Sequence, residues 1–433
     1  MLDATKNVDN TRRLLAILGI AFIVRLLWAA LVPVIPVSDP REYHTFALNL
    51  VYHGVYGWST DKLSAIWPPG TSAAYALIYS IFGSGQWAIK CFNLAVGILI
   101  VFLTVELGTQ WFNRGVGIIA GLLVALWPIL IEFTTIVGSD LLFTVVLLAT
   151  LLLYDKIYSS EAHFKLLAVA LGGLIGVASL LRAPVLLLPA VLASVFFMQR
   201  RKIISSLTLF SITTVVMLIV VMPWSVRNYA VFGGFVGIST NGGMNLWMGN
   251  NPTTTGFYQV PPTFDAGLNE AQIDRILRDE AVTFIKQAPI AFAARTVVKA
   301  LRLYERETIG VAWNSPGIEP KWGMAIKVAS QAFWMGALLL FGIGCYLSSR
   351  QGLASFACHP GIAMLAYFTL IYATFAISDR YHIPTNPIMA IFAAYAIFRI
   401  APVARSPFRP FGPMPSPSGG TIACDVAQVQ GRR

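Results

Sequence analysis

Two carboxylates and three guanidinium groups stand at the edges of apolar runs. Asp39 lies in Val37-Ser38-Asp39-Pro40-Arg41-Glu42-Tyr43, and Asp140 in Val137-Gly138-Ser139-Asp140-Leu141. A carboxylate so placed can take a proton, bind a cation or orient a hydroxyl, and two opening on one face can bracket a reacting group. Composition alone favours a plainer use, because Asp before Pro is a strong helix start and Asp140 opens an apolar run in the same way. Glu132, at the end of another run, is a weaker third acid. The cations are Arg182 in Leu181-Arg182-Ala183-Pro184, Arg227 in Trp224-Ser225-Val226-Arg227-Asn228-Tyr229, and Arg380 in Ser378-Asp379-Arg380-Tyr381. Guanidinium near hydrocarbon is costly and is usually paired, and its planar fork suits two oxygens of a phosphate. The bland alternatives are snorkelling toward headgroups and, for Arg380, an ion pair with adjacent Asp379. Arg25 interrupts the first apolar run and is expected to pair across helices.

Other candidates are fewer. Ser239-Thr240-Asn241-Gly242-Gly243-Met244-Asn245-Leu246-Trp247-Met248-Gly249-Asn250-Asn251-Pro252 is dense in Gly and Asn and reads as a series of turns. Its amides could bind polar groups or scaffold a loop, and it lacks the Gly-Lys-Ser/Thr of a phosphate loop. The four cysteines include no C-x-x-C and the five histidines no H-x-x-x-H, so neither a disulfide framework nor a zinc site is expected.

The elements that carry these residues follow from composition. Of 433 residues, 56% are hydrophobic and 12% charged, and the mean hydropathy is +0.69. Soluble domains carry about 25% charge, so soluble enzyme, secreted scaffold and disordered chain are poor readings. The net charge of +11 is diluted among apolar runs, which points to a membrane orientation signal and not to nucleic acid. Ten runs are candidate spans: Leu14–Ile35, Trp87–Thr109, Val116–Glu132, Leu141–Tyr154, Leu166–Leu181, Val185–Met198, Ile203–Met222, Ala325–Leu347, Ile362–Ile377 and Ile383–Ile400. With the N-terminus inside, the cytoplasmic segments hold Lys6, Arg12, Arg13, Arg114, Lys156, Lys165, Arg200, Arg201, Lys202, Arg350, Arg405 and Arg409, while the short outer loops hold only Arg380. Asp39, Asp140 and all three arginines then share the outer face. Two large outer segments result, about residues 37–86 and 223–324. The first carries an amphipathic helix marked by Tyr43, Phe46, Ala47, Leu50 and Val51, followed by a short helix after Pro69-Gly70. The second carries one through Ile273, Ile276, Leu277, Ala281 and Phe284. Beyond Pro289, Arg295, Lys299, Arg302 and Arg306 share one face, expected to snorkel toward lipid headgroups. Residues 1–403 read as a single transmembrane domain, and the Pro/Gly/Ser-rich residues 404–433 as a disordered cytoplasmic tail.

The order of these motifs resembles the membrane-embedded GT-C glycosyltransferases that use polyprenyl-phosphate sugars, a group that includes protein O-mannosyltransferases and lipid A aminoarabinose transferases. The resemblance runs from Leu14 to Ile400 and rests on Asp39 with Tyr43, Gly54-Val55-Tyr56-Gly57, Trp67-Pro68-Pro69-Gly70, Ser139-Asp140-Leu141-Leu142-Phe143, Leu181-Arg182-Ala183-Pro184, Pro223 to Tyr229, Ser239 to Pro252, and Arg380-Tyr381-His382-Ile383-Pro384. Trp67 stands where a basic residue often precedes Pro-Pro-Gly, and Asp140 is one methylene shorter than the usual Glu. The resemblance implies an all-α polytopic fold and an inverting transfer of a sugar from a polyprenyl-phosphate donor to an acceptor hydroxyl on a lipid, glycan or protein, at the periplasmic face of a bacterial inner membrane. It further implies catalytic roles for Asp39 and Asp140, donor phosphate contacts from Arg227, Arg182 or Arg380, and substrate contacts from Tyr43, Asn241, Asn250 and Tyr381. No organic cofactor is implied, and a divalent cation held partly by Asp140 stays an open alternative. A transporter or lipid flippase with charged residues along its path is the rival reading.

Overall fold

The computed structural model describes residues 2–159, 162–265 and 267–400. The expected disordered tail lies outside the described residues. Helix α1 (Leu2–Leu31) ends just before Pro33, and a short extended segment leads to α2 (Asp39–His53). Pro68-Pro69 then sets the start of α3 (Gly70–Phe82), before the long span α4 (Gln86–Trp111). The expected third span is broken into α5 (Arg114–Ala125) and α6 (Pro128–Glu132), which continues as a short 3-10 turn; the two limbs are bent by 58°. Pro128 has no N–H to continue the helical ladder, and the break strands carbonyls inside hydrocarbon. Arg25 answers that need. Fully buried, it donates to Ala125 O at 3.0 Å, Val124 O at 3.3 Å and its own-helix Ala21 O at 3.3 Å, so the expected cross-helix partner is a helix end instead of an acid.

The chain continues through α7 (Asp140–Ser159), α8 (Phe164–Leu181), α9 (Leu188–Arg200) and α10 (Ile203–Phe232). The second outer segment holds α11 (Gly242–Gly249), α12 (Glu270–Gln287), α13 (Pro289–Arg302) and α14 (Ile309–Asn314). Then come α15 (Pro320–Ser349), α16 (Leu353–Ala357), α17 (Pro360–Thr374) and α18 (Asn386–Ile400). Among the described residues, eight helices are long and apolar enough to cross a membrane, nine with the broken pair; α17 is apolar but shorter. All ten expected runs are thus helical over most of their length, and the chain is a multi-pass membrane protein. α18 sits at the centre, with residues Asn386 to Ala396 all buried. The outward faces of the peripheral helices are apolar and exposed, as a lipid-facing surface requires: Leu27 and Leu31 on α1, Leu218 and Ile219 on α10, Leu339 on α15.

The glycine-rich stretch departs from expectation. It forms α11 and not a run of turns, because α12 completes its N-terminus: Asp274 accepts from Gly243 N at 2.6 Å and Met244 N at 3.3 Å. The glycines permit close approach. A Cβ at Gly243 would meet Asp274 O at 1.9 Å, and one at Gly249 would meet Phe375 O at 2.4 Å.

Candidate active site

Asp39, Asp140, Arg182 and Arg380 come from four separate helix ends on one side of the molecule. Asp39 is the first residue of α2, entered from Ser38 at φ 52, a left-handed conformation that a non-glycine residue adopts at some strain. Its carboxylate does not cap the helix; Oδ2 accepts from Arg380 Nη2. Asp140 opens α7, and its Oδ1 accepts from Arg182 Nη2 while Arg182 Nε donates to Ser139 Oγ at 2.9 Å. The capping role expected for either acid is replaced by an ion pair, and Arg380 pairs with Asp39 and not with Asp379.

The two pairs meet around Tyr43. Burial raises the Tyr43 phenol well above its ordinary value, and Arg380, Asp39, Arg182 and Asp140 all lie close enough to act on it. Arg380 in turn feels both Asp39 and Asp140. Aromatic rings wall the cluster: Arg380 lies 4.9 Å from the Trp313 ring and 5.6 Å from Tyr381, Arg182 lies 5.5 Å from Phe143, and Tyr381 stacks on Tyr372 at 4.7 Å. Trp67 packs 5.8 Å from Tyr43, closing the side where the resemblance anticipates a basic residue. Exposure separates the two acids. The Asp39 side chain is 26% exposed and that of Asp140 0%, so Asp39 is the one an incoming hydroxyl can reach. Arg182 Nη1, Arg380 Nη1 and Asp140 Oδ2 are buried without a hydrogen-bond partner among the described residues. Buried orphan donors are rare, and two on neighbouring guanidinium groups have the chemistry to bind an anion, with the Tyr372 hydroxyl close to Arg182.

Arg227, Asn241 and Asn250 make their hydrogen bonds within the loops, and Arg227 reaches Tyr56, which lies near Tyr43. Arg227 donates to Ser64 O at 2.7 Å, Tyr56 O at 2.8 Å and Asn228 Oδ1 at 3.1 Å, and stacks 4.7 Å over Trp224. It holds the first outer loop to α10. Glu270 reinforces the same loop, accepting from Trp58 Nε1, Ser64 Oγ, Ala65 N and Thr240 Oγ1 at 2.9–3.1 Å. Asn241 accepts from Ser239 Oγ at 2.9 Å. Asn250 is fully buried, donating to Leu246 O at 2.9 Å and Thr374 O at 2.7 Å. Both belong to the loop scaffold. Glu132 is buried, accepts from Ser330 Oγ at 2.7 Å and lies near Glu307. Three of the four cations of the α13 region turn into the protein, while Arg306 stays exposed over the Phe257 ring. Arg295 donates to Asn251 O at 2.7 Å, Lys299 Nζ to Gly249 O and Phe375 O at 3.0 Å, and Arg302 to Thr255 O at 3.1 Å. The opposite face, with Ile290, Val297, Val298 and Leu301, is the exposed one. Burial, then the charge of Arg295, lowers the Lys299 ammonium to about 8.

Sequence reasoning missed the clamp behind Arg380. Asp379 accepts from Thr308 N at 3.1 Å and Thr308 Oγ1 at 3.2 Å. His382 contacts Leu303 O through Nδ1 at 2.9 Å and Glu307 Oε1 through Nε2 at 3.2 Å, stacked on Trp334 at 4.4 Å. Nδ1 faces a carbonyl oxygen and donates to it. Glu307 also accepts from Asn386 Nδ2 at 2.5 Å and Trp127 Nε1 at 2.9 Å. Residues 303–308 thus grip both flanks of Arg380. Glu305-Arg306-Glu307 reads as a solvated charge run, and nothing in it signals that Glu307 is fully buried. Among the described residues no group of three or more His, Cys, Asp and Glu is arranged to hold a metal. Asp39 and Asp140 are each committed to a guanidinium, so a divalent cation fits this donor set poorly.

Residues 67–226 match the family model described as dolichyl-phosphate-mannose-protein mannosyltransferase. No curated protein sequence matches the chain. Among solved structures, ArnT from Cupriavidus metallidurans bound to undecaprenyl phosphate is similar with a TM-score of 0.59 at 16% identity, over 92% of this chain and 61% of that one. Archaeal oligosaccharyltransferase AglB from Archaeoglobus fulgidus, in complex with an inhibitory peptide and a dolichol-phosphate, gives 0.56 at 14% identity, over 89% of this chain and 50% of that one. The chain therefore has the GT-C fold anticipated from its motifs, and spans between half and about three-fifths of the length of these neighbours.

Proposed function

We propose that the protein is a membrane glycosyltransferase that moves a sugar from a polyprenyl-phosphate donor to an acceptor hydroxyl. The observation that carries this reading is the pair of buried Nη1 donors on Arg182 and Arg380, without partners among the described residues, beside a carboxylate that solvent can reach. A donor phosphate seated between the two guanidinium groups has its charge neutralised without a metal. Its arrival competes for Arg380 and releases Asp39 from that ion pair. The acceptor oxygen then bonds to the anomeric carbon, the bond from that carbon to the phosphate oxygen breaks with its electron pair staying on the phosphate, and the hydroxyl proton passes to Asp39. Attack opposite the leaving phosphate inverts the anomeric centre. Asp140, sealed behind Arg182, positions that guanidinium and does not meet the acceptor. The positive charge distribution supports a cytoplasmic N-terminus and a site on the outer, periplasmic face of a bacterial inner membrane. The family match and the lipid phosphates named for ArnT and AglB support the same donor class.

The test is donor-lipid binding. Undecaprenyl phosphate titrated against purified protein should bind wild type, and Arg380→Gln should weaken binding by roughly tenfold to a hundredfold, the range of one charge-assisted hydrogen bond. Equal affinity in the variant overturns the phosphate assignment.

A further inference from the structure

The loop 235–240 and the first half of α12 enclose a cavity of about 480 Å³, within the range of about 300–1,000 Å³ usual for small-molecule sites. From α12 it is lined by Ala271, Asp274, Arg275 and Arg278, whose helical spacing places them on one face. Phe235 and Ser239 line it from the loop, and Phe235 is 80% exposed. The charges are unevenly matched. Asp274 Oδ1 accepts from Gly243 N and Met244 N, and Arg278 lies close enough to act on that carboxylate, besides its 3.4 Å contact with Asp279. Arg275 makes no hydrogen bond or ion pair among the described residues. Its Nη2 stands 3.7 Å from the place of a Cβ on Gly234, over the turn that ends α10. Asp274 Oδ2 accepts from no group among the described residues. Ser239 uses only its proton, on Asn241 Oδ1 at 2.9 Å, so its oxygen can still accept. The cavity wall also leads to the cluster around Tyr43. Thr240 lines the cavity and donates from N to Ala65 O at 2.8 Å. Trp67, in the same loop as Ala65, packs 5.8 Å from Tyr43.

We infer that this cleft holds the acceptor, and that the acceptor is a saccharide carrying a carboxylate, as a uronic acid does. A planar carboxylate matches one unpaired guanidinium in shape and in charge, where a phosphate dianion would call for a second. Sugar hydroxyls suit the open acceptors on Asp274 and Ser239, and the apolar face of a pyranose ring suits an exposed phenyl ring. A neutral sugar would leave Arg275 unmatched, and an apolar ligand would strip water from Arg275 and Asp274 without replacing its hydrogen bonds. The acceptor role rests on the proposed glycosyl transfer, whereas the binding chemistry stands without it.

The experiment is calorimetric titration of the full-length protein in detergent with a trimer of galacturonic acid or the matching neutral trimer of galactose, without donor lipid. Wild type should bind the acidic trimer about tenfold more tightly than the neutral one, the weight of one charge-assisted hydrogen bond. Arg275→Gln should erase that preference. Arg278→Gln, whose charge is already shared with Asp274 and Asp279, should lose no more than about threefold. Lys286→Gln, an equal change in charge on the same helix but outside the cavity lining, should stay within about twofold of wild type. Ala271→Trp, which keeps every charge and fills the cavity, should lose the acidic trimer. Equal affinity of wild type for the two trimers, equal loss in Lys286→Gln, or displacement of the acidic trimer by undecaprenyl phosphate would overturn the inference. Since no donor is present, failure of the Arg380→Gln lipid titration would remove the transfer reading and leave this result standing.

Discussion

The two acids differ in how firmly the fold holds them, and that difference is measurable. Asp140 is sealed, so removing its charge leaves Arg182 buried without a counter-ion; breaking such a pair destabilises by about 3–5 kcal/mol. Asp39 is partly open, so solvent screens its pair, and Arg380 keeps the nearby charge of Asp140 when Asp39 is lost, so breaking this pair costs less. Asp140→Asn should therefore melt well below wild type while Asp39→Asn melts close to it, as read by thermal unfolding in detergent; equal shifts would contradict the burial argument. Arg227→Ala should act on stability and leave donor KM unchanged, since its guanidinium is occupied by Ser64 O and Tyr56 O. A raised donor KM with unchanged melting would return Arg227 to the phosphate. At this scale the sequence shows that Asp39, Asp140, Arg182 and Arg380 are out of place in apolar surroundings. It does not show their pairing, because Asp39 and Arg380 are 341 positions apart and each has a closer candidate partner in Arg41 or Asp379. Arg227 carries the same signal as the others, an arginine at an apolar edge, and only the fold shows that it is tied to Ser64 O and Tyr56 O.

Helices and loops supply the placement. The segment 303–308 holds Arg380 through Glu307, His382 and Thr308, so Glu307→Ala should raise donor KM by at least about tenfold through a misplaced Arg380. Glu307→Gln, whose single carbonyl oxygen can accept from Asn386 Nδ2 but not also from Trp127 Nε1, should recover part of that loss, and failure of the conservative variant to recover any would argue for a charge role. Lys299 makes a pH-dependent prediction. Folded, it titrates near 8, against 10.5 for the ordinary lysine. Between these values the unfolded chain binds more protons, so this group's contribution to stability rises with pH and falls away as pH drops through about 8. The melting-temperature gap between wild type and Lys299→Met should move in favour of wild type from about pH 8 to pH 10; a gap that is flat or moves the other way would contradict it. Amphipathic spacing disclosed α2, α12 and α13 in the sequence, yet not which face of α13 meets protein. A row of cations ordinarily points to headgroups, and here the carbonyls of residues 249–257 compete for it successfully.

For the whole molecule, hydropathy and charge asymmetry were enough to establish a multi-pass membrane protein, because hydrocarbon tolerates few alternatives to a helix. The broken span was harder to read: Trp127-Pro128 sits in a continuous apolar run, and the 58° bend depends on Arg25, a hundred residues away, to satisfy the stranded carbonyls. The outer ends of α2, α7, α8 and the segment before α18 then converge, so that residues scattered over the chain share one enclosure. The most direct measurement of that convergence is sugar transfer in vesicles carrying a radiolabelled polyprenyl-phosphate sugar, compared with donor binding by the same protein. Wild type should release label from the lipid, and Asp39→Asn, which frees Arg380, should bind donor at least as tightly as wild type while transferring at least about a hundredfold more slowly, the usual weight of a positioned proton acceptor. Transfer by Asp39→Asn at the wild-type rate would contradict the account.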